Sequence, residues 1–272
     1  MPAKRVNGVE LYYELHGPDK APVLVLNNGI LMSTASWAFQ KEALSQNYRL
    51  LLYDCRGQGQ SEHPAEAYSM DLHAQDLAGL LDTLEIEAAH IAGISYGGEV
   101  AQAFALKYPR QTRSLILADT VSQVDPSLRI IVQSWLDAAQ EEPARRAEAF
   151  FHATAPWNFS AEFIAANPAL MEDALRRYAF LDYPAVMRLI QCFFGVDFRE
   201  RLDEIHCPTC ILYGEKDLLK GRPYAEILHA AILDSEMHVL LKAGHASCIE
   251  RPKEFNTILL GFLSKVEASG GL

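Results

Sequence analysis

The stretch HIAGISYGGEVAQAFALKYP, residues 90–109, decides how the chain folds. A short apolar run ends at Gly93, Ser95 stands between glycines two residues away on either side, and a helical pattern runs to Pro109. A sharp turn from a strand into a helix requires glycine where the two backbones approach, and it strains its central residue. The stretch therefore predicts a strand, a tight turn that exposes the Ser95 hydroxyl, and a helix.

The five residues from Gly93 to Gly97 also match a pattern that carries chemistry. G-x-S-x-G is the motif of a nucleophilic serine, whose hydroxyl projects above the edge of a sheet. The N-terminus of the following helix aims free N–H groups at the space beside this oxygen, which suits a developing negative charge. The pentapeptide also occurs by chance, so the alternative is an incidental glycine-rich turn. The flanking strand and helix favour the nucleophile.

The composition narrows the class of protein. The chain has 272 residues and a net charge of −11, which argues against binding to nucleic acid or to anionic membrane surfaces. No apolar run approaches the ~20 residues that span a bilayer. The first residues, MPAKRVNGVELYYELHG, lack an apolar signal core. We therefore expect a cytoplasmic protein that binds neither nucleic acid nor membranes.

The five cysteines do not suggest a disulfide framework, because they are odd in number and scattered. Cys207 and Cys210 do form a C-x-x-C motif, which in redox proteins lies at a helix N-terminus. Here the motif runs into the apolar residues 211–213, which predict a strand. Zinc would need two further ligands at suitable spacing, and the sequence offers none. We interpret both cysteines as small buried residues and predict no metal site.

Short, continuous apolar runs alternate with helical patterns along most of the chain. Such runs predict strands that are buried on both faces of a sheet covered by helices. Residues 8–15 instead alternate apolar and polar side chains, which predicts a half-exposed antiparallel strand, and residues 69–86 have helical periodicity behind a Ser69 cap. The pattern predicts an α/β fold with a mostly parallel central sheet and flanking helices. The apolar runs lie at residues 22–26, 49–53, 90–93, 114–118, 210–214 and 238–241.

This alternation stops between residues 122 and 204. Prolines punctuate helical patterns there, and aromatic residues such as Trp135 and Trp157 are frequent. We therefore predict a helical cap at 122–204, inserted into an α/β core that comprises residues 1–121 and 205–272. The aromatic side chains either line a substrate pocket or form the core of the cap, and the sequence leaves both open.

A nucleophilic serine needs a base, and His245 is the best placed of the nine histidines. It follows a predicted strand in a loop that Gly244 opens, and the carboxyl ends of parallel strands share one edge of a sheet. His245 and Ser95 should therefore lie at the same edge. His90 begins the strand before Ser95, and we interpret it as structural.

The base in turn needs an orienting carboxylate, and two aspartates follow strands. Asp217 lies one strand–helix–strand step before His245 and is favoured, whereas Asp119 is the alternative, or a carboxylate that orders a loop. Asp234 and Glu250 are interpreted as solvated surface charges. The oxyanion hole is predicted after the strand at 22–26, with the backbone N–H groups of Ile30 and Tyr96 as donors.

Together these motifs resemble the α/β-hydrolase superfamily, in its branch with a serine triad, over nearly the whole chain. The order Ser95, Asp217, His245 is the order of that family. One departure is Asn28-Gly29, where most members of that family have His-Gly. The sequence therefore does not show which contacts hold this loop in place. The segments that carry the resemblance are VNGVELYYELHG (6–17), NNGILMSTASW (27–37), DCRGQGQSEHP (54–64), GISYGG (93–98), GEKD (214–217) and AGHASCIERPKEF (243–255).

The resemblance is strongest to small carboxylesterases and enol-lactonases. It implies a hydrolase of a carboxylic ester or lactone that acts on a small-molecule acyl substrate without a cofactor or a metal. Asn28-Gly29 followed by T-A-S-W also resembles a branch that handles hydroxyacyl groups on carrier protein or coenzyme A. The alternative is therefore a thioesterase or acyltransferase with an acyl carrier as partner, bound by cap arginines 145, 146, 176 and 177. Carbon–carbon bond hydrolysis and a non-catalytic ligand receptor also stay open.

Overall fold

The computed structural model describes residues 2–270. Within that range one sheet contains eight strands, in the order β1-β2-β4-β3-β5-β6-β7-β8. The first hairpin is antiparallel and β2 is antiparallel to β4, whereas the remaining pairs are parallel. The predicted α/β class with a mostly parallel sheet is confirmed. The strands are β1 (Ala3–Val6), β2 (Val9–His16), β3 (Val23–Asn27), β4 (Arg49–Tyr53), β5 (Ala89–Ile94), β6 (Thr112–Ala118), β7 (Thr209–Gly214) and β8 (Ser235–Leu240).

Helices cover both faces of the sheet, which explains the continuous apolar runs. In β3, Val25 packs into the apolar core on one face, and Leu24 and Leu26 pack into the core on the other. Side chains of successive strand residues point to opposite faces, so burial on both faces requires every residue to be apolar. The helices outside the segment between β6 and β7 are α1 (Ala38–Leu44), α2 (Met70–Thr83), α3 (Tyr96–Lys107), α9 (Arg222–Ala231), α10 (Ser247–Glu250) and α11 (Pro252–Ala268).

The segment between β6 and β7 is helical. Four of its helices have a proline in their first turn, where the missing N–H group costs no intrahelical hydrogen bond. Gln123 and Asp197, near the two ends of the segment, form an isolated antiparallel bridge. The boundaries 122–204 of a separate cap stay a prediction. The helices are α4 (Pro126–Ala139), α5 (Pro143–Asn158), α6 (Ala161–Ala166), α7 (Pro168–Tyr178) and α8 (Tyr183–Phe193).

The structure confirms the helix cap predicted at Ser69 but differs from the strand predicted at 238–241. The Ser69 hydroxyl accepts a hydrogen bond from the Leu72 N–H group and so caps α2. The strand predicted at 238–241 is instead β8, which begins at Ser235 and ends before Leu241. β8 is an edge strand that pairs with β7, and Leu241 is exposed. The prediction of burial on both faces was wrong there because an edge strand needs little apolar surface.

Two further predictions concern the cysteines and the membrane. Cys210 lies inside β7 and is fully buried, and Cys207 precedes that strand, so the C-x-x-C motif does not begin a helix. All five cysteines are free. Within residues 2–270, no helix combines the length and apolar character that crossing a membrane requires.

Candidate active site

The turn between β5 and α3 holds Ser95 in a backbone conformation that is rare for a residue with a side chain, with φ at 53°. A Cβ atom at Gly93 would overlap the carbonyl group of Gly97, and one at Gly97 would overlap the carbonyl group of Asn27. The Ser95 N–H group donates to the Ala118 carbonyl oxygen of β6, at 2.9 Å. Close backbone packing therefore fixes the turn and leaves the hydroxyl at the sheet edge.

His245 reaches the Ser95 hydroxyl from the loop after β8. Its Nε2 atom lies 2.8 Å from Ser95 Oγ, and its Nδ1 atom lies 2.9 Å from Asp217 Oδ2. The His245 side chain is 5% exposed. The imidazole is therefore held between a hydroxyl and a carboxylate, an arrangement that can move a proton from the serine oxygen to Nε2.

The loop after β7 holds the Asp217 carboxylate in position. Asp217 Oδ1 accepts hydrogen bonds from the N–H groups of Leu219 and Lys220, at 2.8 and 2.9 Å. Burial by itself raises the pKa of this carboxyl group, but the opposing effects of His245 and the two N–H donors outweigh it, and the pKa is lowered. Asp217 is thus ionised beside Nδ1, which fixes the orientation of the ring.

Asp119, the alternative acid, lies close to Asp217 and His245 but has other hydrogen-bond partners. It accepts a hydrogen bond from the Gly214 N–H group at 2.8 Å and contacts the Ser247 hydroxyl. Burial, followed by the charge of Asp217, raises its pKa well above the usual value. Its neutral form is therefore favoured, and it ties the loop after β7 to the loop that carries His245.

The loop after β3 is anchored by the side chain of Asn28. Its Nδ2 group donates to the Tyr53 carbonyl oxygen at 3.0 Å and to Asp54 Oδ1 at 3.1 Å, and its Oδ1 atom accepts from Trp37 Nε1 at 2.8 Å. All three hydrogen bonds are buried, so breaking one would leave a buried polar group without a partner and would cost free energy. Asn28 is therefore a structural anchor, which answers the question of what supports this loop.

The two predicted oxyanion donors are the backbone N–H groups of Ile30 and Tyr96. Ile30 lines the same cavity as Ser95, and Tyr96 is the first residue of α3. Within residues 2–270, neither backbone N–H group donates to a protein acceptor. Gln58 Nε2 donates to the carbonyl oxygens of Gly29 and Ile30, at 2.8 and 3.2 Å, and so fixes the direction of that backbone. Both N–H groups are thus free to bind a ligand oxygen.

A cavity of about 240 Å³ opens above Ser95 and His245. Its wall combines the loop after β3 with the helical segment and the loop after β8, and it is mostly apolar. Some aromatic residues of the segment between β6 and β7 line the cavity, and others, such as Phe150 and Phe193, are buried in the apolar core. These aromatic residues thus include both pocket and core residues. The main apolar lining residues are Ile30, Leu31, Met32, Trp135, Phe159, Tyr178, Leu181 and Ile249.

A buried ion pair that the sequence analysis did not predict lies next to this site. Lys220 Nζ is 3.4 Å from Ser95 Oγ and 3.0 Å from Glu99 Oε1. Lys220 is 3% exposed and Glu99 is fully buried. A glutamate inside the otherwise apolar first turns of α3 was the one signal available in the sequence.

The interpretation of Glu250 as a surface charge was wrong. This residue is 8% exposed, and its carboxylate accepts hydrogen bonds from the N–H group and the hydroxyl of Ser160, at 2.8 and 2.6 Å. Nearby, the Ala246 N–H group donates to the Asn158 carbonyl oxygen at 2.7 Å. These bonds connect the loop that carries His245 to the helical segment. Asp234 is exposed, as predicted.

Two sets of donor atoms among the described residues are compact enough to consider as metal ligands. In Asp119, Asp217 and His245, the atoms already hydrogen-bond within the site. In the second set, Glu236 pairs with His238 and Lys265. Burial raises the pKa of the Cys210 thiol in this set, which disfavours the thiolate that metals bind. Contacts within the protein therefore account for the positions of the atoms in both sets.

His90 contacts Ser114 and Glu267, in keeping with the structural role that we inferred from the sequence.

A family model described as "alpha/beta hydrolase fold" matches residues 22–252. The chain belongs to the α/β-hydrolase family. This hydrolase is 30% identical to the RutD protein of Azorhizobium caulinodans, provisionally named a carbamate hydrolase, over 98% of this chain and 100% of that protein.

Solved structures of relatives have the same fold over the same length. An α/β-hydrolase enzyme from a deep-sea metagenome library of the Medee basin is 31% identical, with a TM-score of 0.91 over 97% of both chains. The enol-lactonase of Burkholderia xenovorans LB400 is 29% identical, with a TM-score of 0.89 over 97% of this chain and 100% of that one. The family resemblance inferred from the motifs is confirmed.

Proposed function

We propose that this hydrolase cleaves a carboxylic ester or lactone through an acyl-enzyme formed on Ser95. The observation that carries the proposal is the unbroken chain of hydrogen bonds from Ser95 Oγ through His245 to Asp217, at 2.8 and 2.9 Å, below an apolar cavity. This combination supplies a nucleophile, a base and a place for an acyl group.

In the proposed reaction, the Ser95 proton passes to His245 Nε2 as Ser95 Oγ bonds to the carbonyl carbon. The carbonyl π electrons move to oxygen, and the N–H groups of Ile30 and Tyr96 bind this oxyanion. Collapse of the tetrahedral intermediate breaks the bond to the alcohol, which takes the proton from His245. Water then attacks the acyl-enzyme in the same way and returns the proton to Ser95 Oγ. Asp217 stabilises the imidazolium in both halves.

The cavity favours an uncharged acyl group of modest size. Its volume of about 240 Å³ is below the roughly 300–1,000 Å³ of most ligand pockets, and its wall is mostly apolar. Arg177, which lines the cavity, already pairs with Asp173. A small ester or lactone with an apolar acyl part is therefore the substrate class that we propose. The lactone agrees with the name of the Burkholderia relative, and a carbamate, after RutD, belongs in the same assay.

Thioester cleavage or acyl transfer from a carrier has weaker support. Of the four arginines considered for carrier binding, Arg176 and Arg177 pair with acidic residues of α7, and Arg146 lies over the Tyr183 ring. Internal partners reduce the positive charge available to an acidic carrier, so the ester or lactone is preferred.

The proposal is tested by hydrolysis of p-nitrophenyl esters of increasing acyl length, with matching thioesters, a lactone and a carbamate. Wild type should cleave the shorter esters best. Ser95→Ala should lower kcat by ~10³-fold or more, because the nucleophile is removed. The same assay ranks the four bond types and identifies the preferred acyl acceptor when alcohols are added to the water.

A rate that Ser95→Ala leaves intact would show that another group reacts, and the proposed mechanism would be wrong. A preference for thioesters over esters of equal chain length would replace the proposed substrate class by the alternative. Mass spectrometry of acid-quenched enzyme should detect an added acyl mass in wild type and none in Ser95→Ala.

A further inference from the structure

Lys220 contacts the Ser95 hydroxyl but does not line the cavity. An ammonium group has three N–H donors, and three oxygen atoms surround this one. Lys220 Nζ is 3.0 and 3.2 Å from the two carboxylate oxygens of Glu99 and 3.4 Å from Ser95 Oγ. The Phe193 ring of α8 covers the remaining side, with its centroid 4.3 Å from Nζ. The position of the charge is therefore fixed by α3 and α8 together.

Glu99 is itself held firmly. Its Oε1 atom accepts a hydrogen bond from the Thr120 hydroxyl at 2.6 Å and from the Val121 N–H group at 3.1 Å. The backbone N–H group of Lys220 also donates to Asp217. One residue therefore contacts the proposed acid through its backbone and the proposed nucleophile through its side chain.

Stability does not explain why a charged pair is buried here. Removing two charges from water costs several kcal/mol per ion, and apolar residues of similar volume often stabilise a protein as well or better. Buried charges that contact a reacting group instead cluster at functional sites, where they alter the energy of another charge. A role in the reaction is therefore more consistent with this pair than a structural one.

We propose that Lys220 is a further catalytic residue, which stabilises negative charge on Ser95 Oγ, and that Glu99 is the residue that positions it. This inference rests on the proposed function, because it assigns Lys220 a role on the nucleophile. As the Ser95 proton moves to His245, charge develops on Oγ, and the ammonium donates a hydrogen bond to it. In deacylation, Oγ departs with the electron pair of the ester bond, and the ammonium stabilises it again. Lys220 transfers no proton, so His245 alone carries the proton.

The test must remove both charges together, since loss of one partner leaves an unpaired buried charge. We would compare wild type with two double variants, Glu99→Gln/Lys220→Gln and Glu99→Gln/Lys220→Met. Asp71→Asn/Lys107→Met is the matched control, because it neutralises an exposed pair of the same type. The measurements are kcat and KM for an ester, and the rate constant for labelling of Ser95 by a fluorophosphonate. A pseudo-first-order labelling rate constant does not depend on how much of the sample is irreversibly unfolded, since such molecules reduce only the amplitude.

Both double variants should lose on the order of 10- to 100-fold in kcat and in labelling rate constant, with KM changed less than threefold. A loss somewhat below that of an oxyanion donor is expected, because the contact to Oγ is long at 3.4 Å. The exposed-pair control should match wild type in all three quantities.

Double variants that label at the wild-type rate would overturn the inference, since the pair would then be structural. A raised KM with unchanged kcat would also overturn it, because the charge would then act on substrate binding. Failure of the proposed function is distinguishable: wild type would then show no fluorophosphonate label that Ser95→Ala removes, whatever the double variants do.

Discussion

At the scale of single residues, the Ser95 oxygen is contacted by side chains from two separate loops, those after β7 and β8. His245 lies at 2.8 Å and Lys220 at 3.4 Å, and the positive φ of Ser95 presents the oxygen to both. The reactivity of the hydroxyl is therefore a property of its neighbours rather than of the serine alone.

Asp217→Asn should lower kcat by about 10⁴-fold with little change in KM, because an amide fails to hold the imidazole in the required tautomer. Asp119→Asn is the matched control, since the raised pKa of Asp119 favours its neutral form, which an amide resembles. We expect the control to retain activity within tenfold of wild type. Equal losses in the two variants, measured by ester hydrolysis, would contradict the separate roles of the two carboxyl groups.

The sequence predicts those residues whose positions follow from local patterns. Ser95 directly follows β5, and Asp217 and His245 lie in the loops after β7 and β8, so parallel pairing places all three at one edge. Glu99 and Lys220 are separated by 121 positions, and only the packing of α3 against the loop after β7 brings them together. Glu250 was misjudged for the same reason, because its partner Ser160 is 90 positions away.

At the scale of elements, the close approach of β5, α3 and the loop after β3 controls the site. Gly97→Ala should destabilise the protein by about 3 kcal/mol, the upper end for overpacking, because its Cβ atom would overlap the Asn27 carbonyl group. Gly261→Ala is the matched control: no atom lies near its Cβ position within α11, and alanine should stabilise that helix by about 0.5–1 kcal/mol. Urea denaturation measures both, and a Gly97→Ala variant as stable as wild type would contradict the packing argument.

The same scale shows why some elements are predicted better than others. Central strands such as β3 and β4 are apolar at nearly every position because helices cover both faces. β8 is an edge strand with half-buried residues, so its start at Ser235 carries no apolar signal. The Asn28 anchor is also outside the reach of local patterns, since its partners Tyr53 and Trp37 come from separate elements.

At the scale of the whole molecule, His73 links folding to pH. Its imidazole is buried, and its Nε2 atom forms a hydrogen bond with the Tyr96 hydroxyl at 2.7 Å. Burial, followed by the charge of Arg56, lowers the pKa of His73 to about 3. The unfolded chain binds a proton near pH 6.5, whereas the folded chain does so near pH 3. Stability should therefore fall as the pH falls from 6.5 towards 3.

The contribution of His73 to this loss is roughly 1.4 kcal/mol per pH unit within that window. Urea denaturation at several pH values between 4.5 and 7.5 should show a smaller slope for His73→Gln than for wild type. His206→Gln, a change at an exposed histidine, should keep the wild-type slope. Identical slopes in all three proteins would mean that His73 does not titrate in this way.

The bonds from Ser160 and Asn158 to the loop of His245 matter for building chimeras. A donor segment grafted between β6 and β7 from a relative would have to bring its own hydroxyl and N–H group to meet Glu250. Without them, a buried carboxylate beside the proposed base would be left without donors. Any library of exchanged segments should therefore keep residues 158–160 from the recipient, so that a change of substrate preference does not disturb the His245 loop.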